Sequence, residues 1–283
     1  MRVEKYEATG NDFLVVCALD GELSPDDRAA AALCDRHRGV GADGVITLER
    51  SLGDADVVMK LRNADGGFAE MSGNGVRCLA AAAVRAGLAH GRTLAVSTDA
   101  GERQVRLDLE DGVLVGAEVS MGAPIFDPDR IPVVADSPFG LTAQCHGVSY
   151  DGDAVGMGNP HFVLFVDDPA SARVTSHGPR LERDERFSGR TNVGFVRVDA
   201  RDRMSVRVWE RGVGETLSCG TGACAAVAAA SRRGLVDDQV AVSVRGGVLL
   251  VGVGDEISLA GPVRHCFDLD VDPDDLIAAG AGS

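Results

Sequence analysis

Short stretches of alternating or β-branched residues recur along the first part of the chain, at Asp12 to Cys17, Val45 to Leu48, Val57 to Arg62, Thr93 to Thr98, Gln104 to Leu109 and Val113 to Val119. Separated by Gly and Asp turns, they predict short strands. Helical pattern is confined to Ser24 to Arg36, where Ser-Pro-Asp-Asp reads as a cap with Pro in the first turn, and to the Ala-rich stretch after Gly75. From about Met121 the cycle restarts, with strands predicted at Phe162 to Val166, Val193 to Val198, Ser205 to Trp209, Val240 to Val244, Val248 to Val251 and Glu256 to Leu259, and a second Ala-rich helix after Gly222. Pro124, Pro128 and Pro132 read as the crossover between halves, and Ile277 to Ser283 as a small-residue tail. We therefore expect one domain over residues 1–121 and another over 122–264.

Direct alignment turns the restart into a repeat. At an offset of 147, Ser72-Gly73-Asn74-Gly75 falls on Cys219-Gly220-Thr221-Gly222, Ala81 to Ala83 on Ala228 to Ala230, and Arg85, Gly87 and Leu88 on Arg232, Gly234 and Leu235, without a gap over 17 residues. The same offset sets Met59 to Asn63 on Val206 to Glu210, and an offset of 148 sets Gly10-Asn11 on Gly158-Asn159. Three matches in the same order argue for a duplicated unit over a chance likeness of Ala-rich helices.

Composition narrows the chemistry. The length of 283 residues accommodates two domains, and a formal charge of −15 argues against nucleic acid or an anionic membrane as partner. Seven Cys without an apolar leader predict a reduced, cytoplasmic protein, and the longest apolar runs fall far short of a bilayer span. The 36 Gly residues imply many tight turns or close approaches. Lys5 and Lys60 are the only lysines, and neither has a phosphate-binding context suited to pyridoxal phosphate.

Each repeat puts a small nucleophilic side chain, Ser72 or Cys219, just before a G-x-G that opens a helix. Unpaired N–H groups and the positive end of the helix dipole gather there, so a carboxylate can be held and a neighbouring thiol is expected to be acidified. Cys219 is the strongest nucleophile or base candidate, although an arbitrary Cys in such a place is more often a small buried residue. Duplication suggests the reaction: inverting a stereocentre without a cofactor takes a proton from one face of an α-carbon and returns one to the other, which needs two acid/base groups. The developing carbanion needs amide donors aimed at its carboxylate, and the two G-x-G turns supply candidates.

At these residues the sequence resembles the diaminopimelate epimerase family. The resemblance is carried by Ala8-Thr9-Gly10-Asn11-Asp12-Phe13, Asn63-Ala64-Asp65-Gly66, Gly73 to Cys78, Gly158-Asn159-Pro160-His161, Thr191 to Gly194, and Glu210 to Thr216 continuing through Cys219 to Ala225. It implies an α+β fold of two pseudo-symmetric domains, each a mixed, β-barrel-like sheet around a central helix, with the active site between them and residues 265–283 completing the first domain. It also implies cofactor-independent interconversion of LL- and meso-diaminopimelate by a two-base mechanism, toward lysine and peptidoglycan, with a homodimer as candidate assembly and no metal.

By position, Cys219 matches one family thiol, whereas Ser72 stands where the other is expected. Gly73, Asn74, Gly220 and Thr221 match residues that hold the reacting carboxylate. Asn11, Asn63, Asn159, Asn192, Glu210 and Arg211 match the substrate-binding set, and His161 and Glu210 match residues that tune the thiols. As a lone His, His161 would more often be structural. Gly44 departs again, at a place where many members carry a substrate-touching Gln. Three accounts fit Ser72: a deliberate near-isosteric replacement, a natural Ser/Cys pair as in related hydroxyproline epimerases, or a chain that binds an amino acid without inverting it. The functional alternatives are accordingly an epimerase or isomerase of another amino acid on the same fold, or a non-catalytic binding protein.

Other signals are set aside. Gly39 to Gly44 spells G-x-G-x-x-G, but with the predicted helix before it and the strand after it, the reverse of a dinucleotide site. Cys and His are too dispersed for zinc, Ser72 lacks the G-x-S-x-G context of a hydrolase, Cys78 and Cys224 read as core thiols, and Asp268 to Asp275 as solvated surface.

Overall fold

A computed structural model describes residues 1–19, 24–69 and 71–280. In chain order its elements are β1 (Arg2–Ala8), β2 (Asn11–Ala18), α1 (Asp27–Cys34), β3 (Gly44–Arg50), β4 (Val57–Asn63), β5 (Phe68–Ala69), α2 (Gly73–Arg85), β6 (Thr93–Thr98), β7 (Gly101–Glu110) and β8 (Val113–Gly122). They continue with β9 (Leu141–Cys145), β10 (Val148–Gly156), β11 (Pro160–Phe165), α3 (Val174–Leu181), β12 (Asn192–Ala200), β13 (Arg203–Glu210), β14 (Gly214–Glu215), α4 (Gly220–Arg232), β15 (Gln239–Val244), β16 (Gly247–Val253), β17 (Ile257–Pro262), β18 (Arg264–Asp270) and α5 (Pro273–Gly280). Met1–Val119 with the described residues from Gly261 onward form one compact unit, and Ser120–Ala260 form the other.

Within the first unit, β1 is antiparallel to β2 and β18, β2 runs parallel to β3 with Phe13 opposite Gly44, and β3 is antiparallel to β4 with Val45 opposite Arg62. β4 also pairs with β5 and, in parallel, with β6. The second unit repeats this connectivity: β11 runs parallel to β12 with His161 opposite Asn192, β12 is antiparallel to β13 with Val193 opposite Trp209, and β13 pairs with β14 and, in parallel, with β15. The equivalence at offsets of 147 and 148 thus holds pair by pair in the sheets, and it extends to α1 and α3, where the sequence shows no likeness.

The helices α2 and α4 are the centres. Every residue from Gly73 to Ala83 is buried in α2, and all but Thr221 between Gly220 and Ala230 in α4. A helix apolar on all sides has to be enclosed, and Ala side chains let strands approach on every face. Cys78 and Cys224 are fully buried there. In the first unit α1 packs Ala30, Leu33 and Cys34 on Val3, Leu14, Val16 and Val45 of the sheet, with Leu276 of α5 against the same cluster.

Several expectations are corrected. The first helix begins at Asp27 with Asp26 as its cap, since Asp26 Oδ1 accepts the Ala29 N–H at 2.8 Å; Ser24 instead donates to Glu49. The expected tail is helical to Gly280, and its residues 281–283 lie outside the described ones. Asp268 is exposed, as expected, and in β18 it also pairs with Arg2, Arg85 and His265. Strand β1 escaped the alternation because its register slips between Lys5 and Tyr6, and α3 because Gly178 and Pro179 interrupt it. Among the described residues no helix is long and apolar enough to cross a membrane.

Candidate functional site

In the first unit the candidate residues gather at the start of α2. Ser72 is its N-cap, with its Oγ accepting the Gly75 N–H at 3.1 Å. Asn74, 2 % exposed, donates through Nδ2 to Asn11 Oδ1 at 3.2 Å and accepts from the fully buried Arg77 at 2.9 Å, while Arg77 also donates to Thr9 Oγ1 at 3.0 Å. Asn11 in turn donates to Asp43 Oδ2 at 2.6 Å, and Arg36 bridges Asp43 and Asp12 at 2.7 and 2.6 Å. Lys5 completes the cluster with bonds to Asp12 and to the Gly41 carbonyl. Burial pushes the Asp12 carboxyl upward, but the bonds from Arg36 and Lys5 outweigh it and hold it below the usual range. Both amides, Asn11 and Asn74, are therefore fixed in orientation.

Asn63 stands apart from that chain of bonds. It is exposed at the end of β4, where its N–H donates to Gly67 O at 2.8 Å and its carbonyl accepts from Gly66 at 2.9 Å. Gly44 lies in β3 against Phe13, and a Cβ there would come within 2.6 Å of the Arg62 carbonyl oxygen. The departure at this position is thus built into the backbone pairing. The run Gly39 to Gly44 is the α1–β3 connection, in which Gly41 and Ala42 donate back to Leu33 and Cys34 carbonyls.

The second unit reproduces the arrangement with other side chains. Cys219, 5 % exposed, caps α4 with φ/ψ of −126°/107°, close to the −140°/122° of Ser72. Its Sγ lies 3.6 Å from Thr221 Oγ1, makes no side-chain cap bond to the first turn of α4, and is influenced by the Glu210 carboxylate and the Gly222 backbone. The acidified thiol expected at a helix start is not what results. Burial, then the Glu210 charge, push the Cys219 thiol well above its ordinary value, and Thr221 with the Gly222 backbone offsets only part of this. At rest the group is a thiol.

Glu210 is itself held by Thr216, whose hydroxyl donates to its Oε1 at 2.5 Å. Asn192 is buried with both ends of its amide engaged: Nδ2 donates to Pro160 O at 2.9 Å and Oδ1 accepts the Arg211 N–H at 2.9 Å. The Arg211 guanidinium reaches Gly189 O at 3.1 Å. His161, 1 % exposed, donates through Nε2 to Asn159 Oδ1 at 2.8 Å. Burial, with a smaller repulsion from Arg211, pushes the imidazole down to about 3, so it is neutral in the working range and serves as a fixed donor to Asn159.

Tertiary structure thus gathers Ser72, Gly73, Asn74 and Asn11 in the first unit, and Cys219, Gly220, Thr221, Glu210, Arg211, Asn192, Asn159 and His161 in the second. Sequence reasoning missed Asp43, Thr216 and Glu182. Asp43 was hidden inside the discarded glycine run, Thr216 lay within a motif that gave it no role, and Glu182 ends a helix that carried no pattern.

The fold is that of the racemases and epimerases. It superposes on a hydroxyproline epimerase from Agrobacterium vitis, solved with bound trans-4-hydroxy-L-proline, with a TM-score of 0.74 at 16% identity, covering 95% of this chain and 91% of that one. Sequence goes further, since the pattern of the diaminopimelate epimerase family matches residues 3–126 and 153–265. A diaminopimelate epimerase from Moorella thermoacetica is 40% identical over 277 residues, with 94% of this chain and 98% of that protein aligned. One from Halorhodospira halophila is 44% identical over 274 residues, with 94% and 93% aligned. The chain belongs to the diaminopimelate epimerase family.

Proposed function

We propose that the chain interconverts LL- and meso-diaminopimelate without a cofactor, as an isomerase supplying lysine and peptidoglycan precursors in the cytoplasm. The observation that carries this reading is the equal placement of Ser72 and Cys219 as N-caps of equivalent 13-residue helices, each followed by G-x-G, in a chain of this family. Inversion breaks the α-carbon–hydrogen bond, leaves its electron pair on the α-carbon and the adjoining carboxylate, and forms a new bond to hydrogen on the opposite face. Positions 219 and 72 are assigned to the two faces.

Cys219, a thiol at rest, suits delivery of a proton, and the thiolate it leaves meets the Thr221 hydroxyl and the Gly222 N–H. In the other direction Cys219 must first lose its proton. Ser72 has a far higher ordinary pKa than a thiol and is the weaker acid/base of the pair; its Oγ accepts from Gly75, which leaves its O–H to donate toward the substrate. The N–H groups at both helix starts suit the negative charge that builds on the carboxylate. Arg211 and Glu210 complement a distal carboxylate and ammonium. Assembly as a homodimer belongs to the same reading and is read by sedimentation. Incubation with LL-diaminopimelate in deuterated water, followed for α-deuteration and meso product, tests the function. Binding without either would favour the amino-acid-binding alternative.

A further inference from the structure

The reaction chemistry makes no demand on Glu182, yet this residue ties together the backbone around three of the assigned side chains. It ends α3 and is 5 % exposed. Its carboxylate is fully engaged: Oε2 accepts the Trp209 indole N–H at 2.8 Å, and Oε1 accepts the Gly212 N–H at 3.2 Å and a bond from Arg190 at 3.4 Å. Its main-chain oxygen accepts the Thr191 N–H at 3.0 Å. Trp209 and Gly212 flank Glu210 and Arg211, and Thr191 precedes Asn192, whose Oδ1 holds the Arg211 N–H. One turn earlier in α3, Gly178 lies so close that a Cβ there would stand 2.6 Å from Trp209 Cγ.

The first unit ties the equivalent turn through a cation on the strand and an exposed carboxylate on the helix. Arg62, at the position of Trp209, donates to the Asp27 carboxylate of α1, to Pro25 O at 3.1 Å and to Gly66 O at 3.3 Å. Each unit thus fastens the turn beyond its β4-type strand to its own first helix, but only the second uses a buried carboxylate. A buried carboxylate is costly unless donors saturate it, so its geometry admits little play.

We propose that Glu182 is a positioning residue: it locks the 209–212 turn to α3 so that Arg211 and Glu210 are presented to the substrate in one fixed geometry. The proposal rests on the epimerase reading for what the turn binds, and on the hydrogen bonds alone for how the turn is held. Trp209 is the only tryptophan of the chain, so its indole N–H gives a single nuclear magnetic resonance signal.

Glu182→Gln sets an amide NH2 against one of these donors. The expected result is an upfield move of the indole signal and a KM for LL-diaminopimelate raised about tenfold, with kcat lowered less than about threefold. The melting temperature stays within about 5 °C. Trp209→Phe removes the indole donor and also raises KM. In the double variant the clash is relieved, so its KM lies below the product of the two single effects. An unmoved indole signal overturns the proposal, as does an unchanged KM, a loss that follows only the unfolded fraction, or single effects that multiply. Absence of α-deuteration in the unmodified chain would instead defeat the epimerase reading. The indole signal of Glu182→Gln would then still report whether Glu182 holds the turn.

Discussion

Ser72 and Cys219 hold the same backbone position, 147 residues apart, each as the N-cap of a 13-residue helix, but only Ser72 accepts the N–H of the glycine three residues later, Gly75. The difference between them is one atom. That atom changes the proton affinity of the side chain by several orders of magnitude while leaving the helix start intact.

Replacing Ser72 by Cys is therefore expected to raise α-proton exchange. A positioned general acid or base is worth about a hundredfold or more, so α-deuteration of LL-diaminopimelate should increase by at least that factor. Because Ser is among the preferred caps, the variant should lose up to about 1 kcal/mol of stability. An unchanged exchange rate would show that position 72 does not limit proton transfer.

The raised proton affinity of Cys219 is read by alkylation. The thiolate, not the thiol, attacks the methylene carbon of iodoacetamide and displaces iodide, so modification of the Cys219 peptide should become fast only at strongly alkaline pH. The Glu210 charge is the second largest cause of the shift, and Glu210→Gln removes it, so the alkylation profile moves to lower pH. A profile that stays in place would mean that burial alone sets the thiol.

His161 links the site to acid stability. Its folded value of about 3 lies below the 6.5 of the free imidazole, so the unfolded chain binds the proton first and stability falls as pH drops from 6.5 toward 3. His161→Gln keeps a donor for Asn159 and cannot titrate. The difference in melting temperature between the unmodified chain and this variant should therefore change across that window and be constant above it.

Gly44 is expected to tolerate no side chain. With a Cβ set 2.6 Å from the Arg62 carbonyl, Gly44→Gln should destabilise the first unit by about 1–3 kcal/mol in urea denaturation and lower substrate affinity. A variant with full stability and a lower KM would show that β3 and β4 separate readily at this point.

The duplication was legible because a helix enclosed on all sides needs Ala and a helix start open to a ligand needs Gly. Those demands leave the same letters at Gly73 to Arg85 and at Gly220 to Arg232. Most interior strands announced themselves through β-branched runs. The equivalence of α1 and α3 stayed hidden, since one packs Ala and Leu while the other packs Gly178 against Trp209, and a shared backbone path leaves no shared letters.

By itself the sequence determined two copies of one unit and a polar or thiol side chain at each helix start. Only the tertiary structure decided that Cys219 keeps its proton, that His161 is neutral, that Gly44 has no room, and that Glu182 holds the turn carrying Glu210 and Arg211. The division has a physical cause. Residue periodicity and helix-start chemistry act between near neighbours in the chain, whereas desolvation, charge and hydrogen-bond saturation depend on groups that folding brings from tens of residues away.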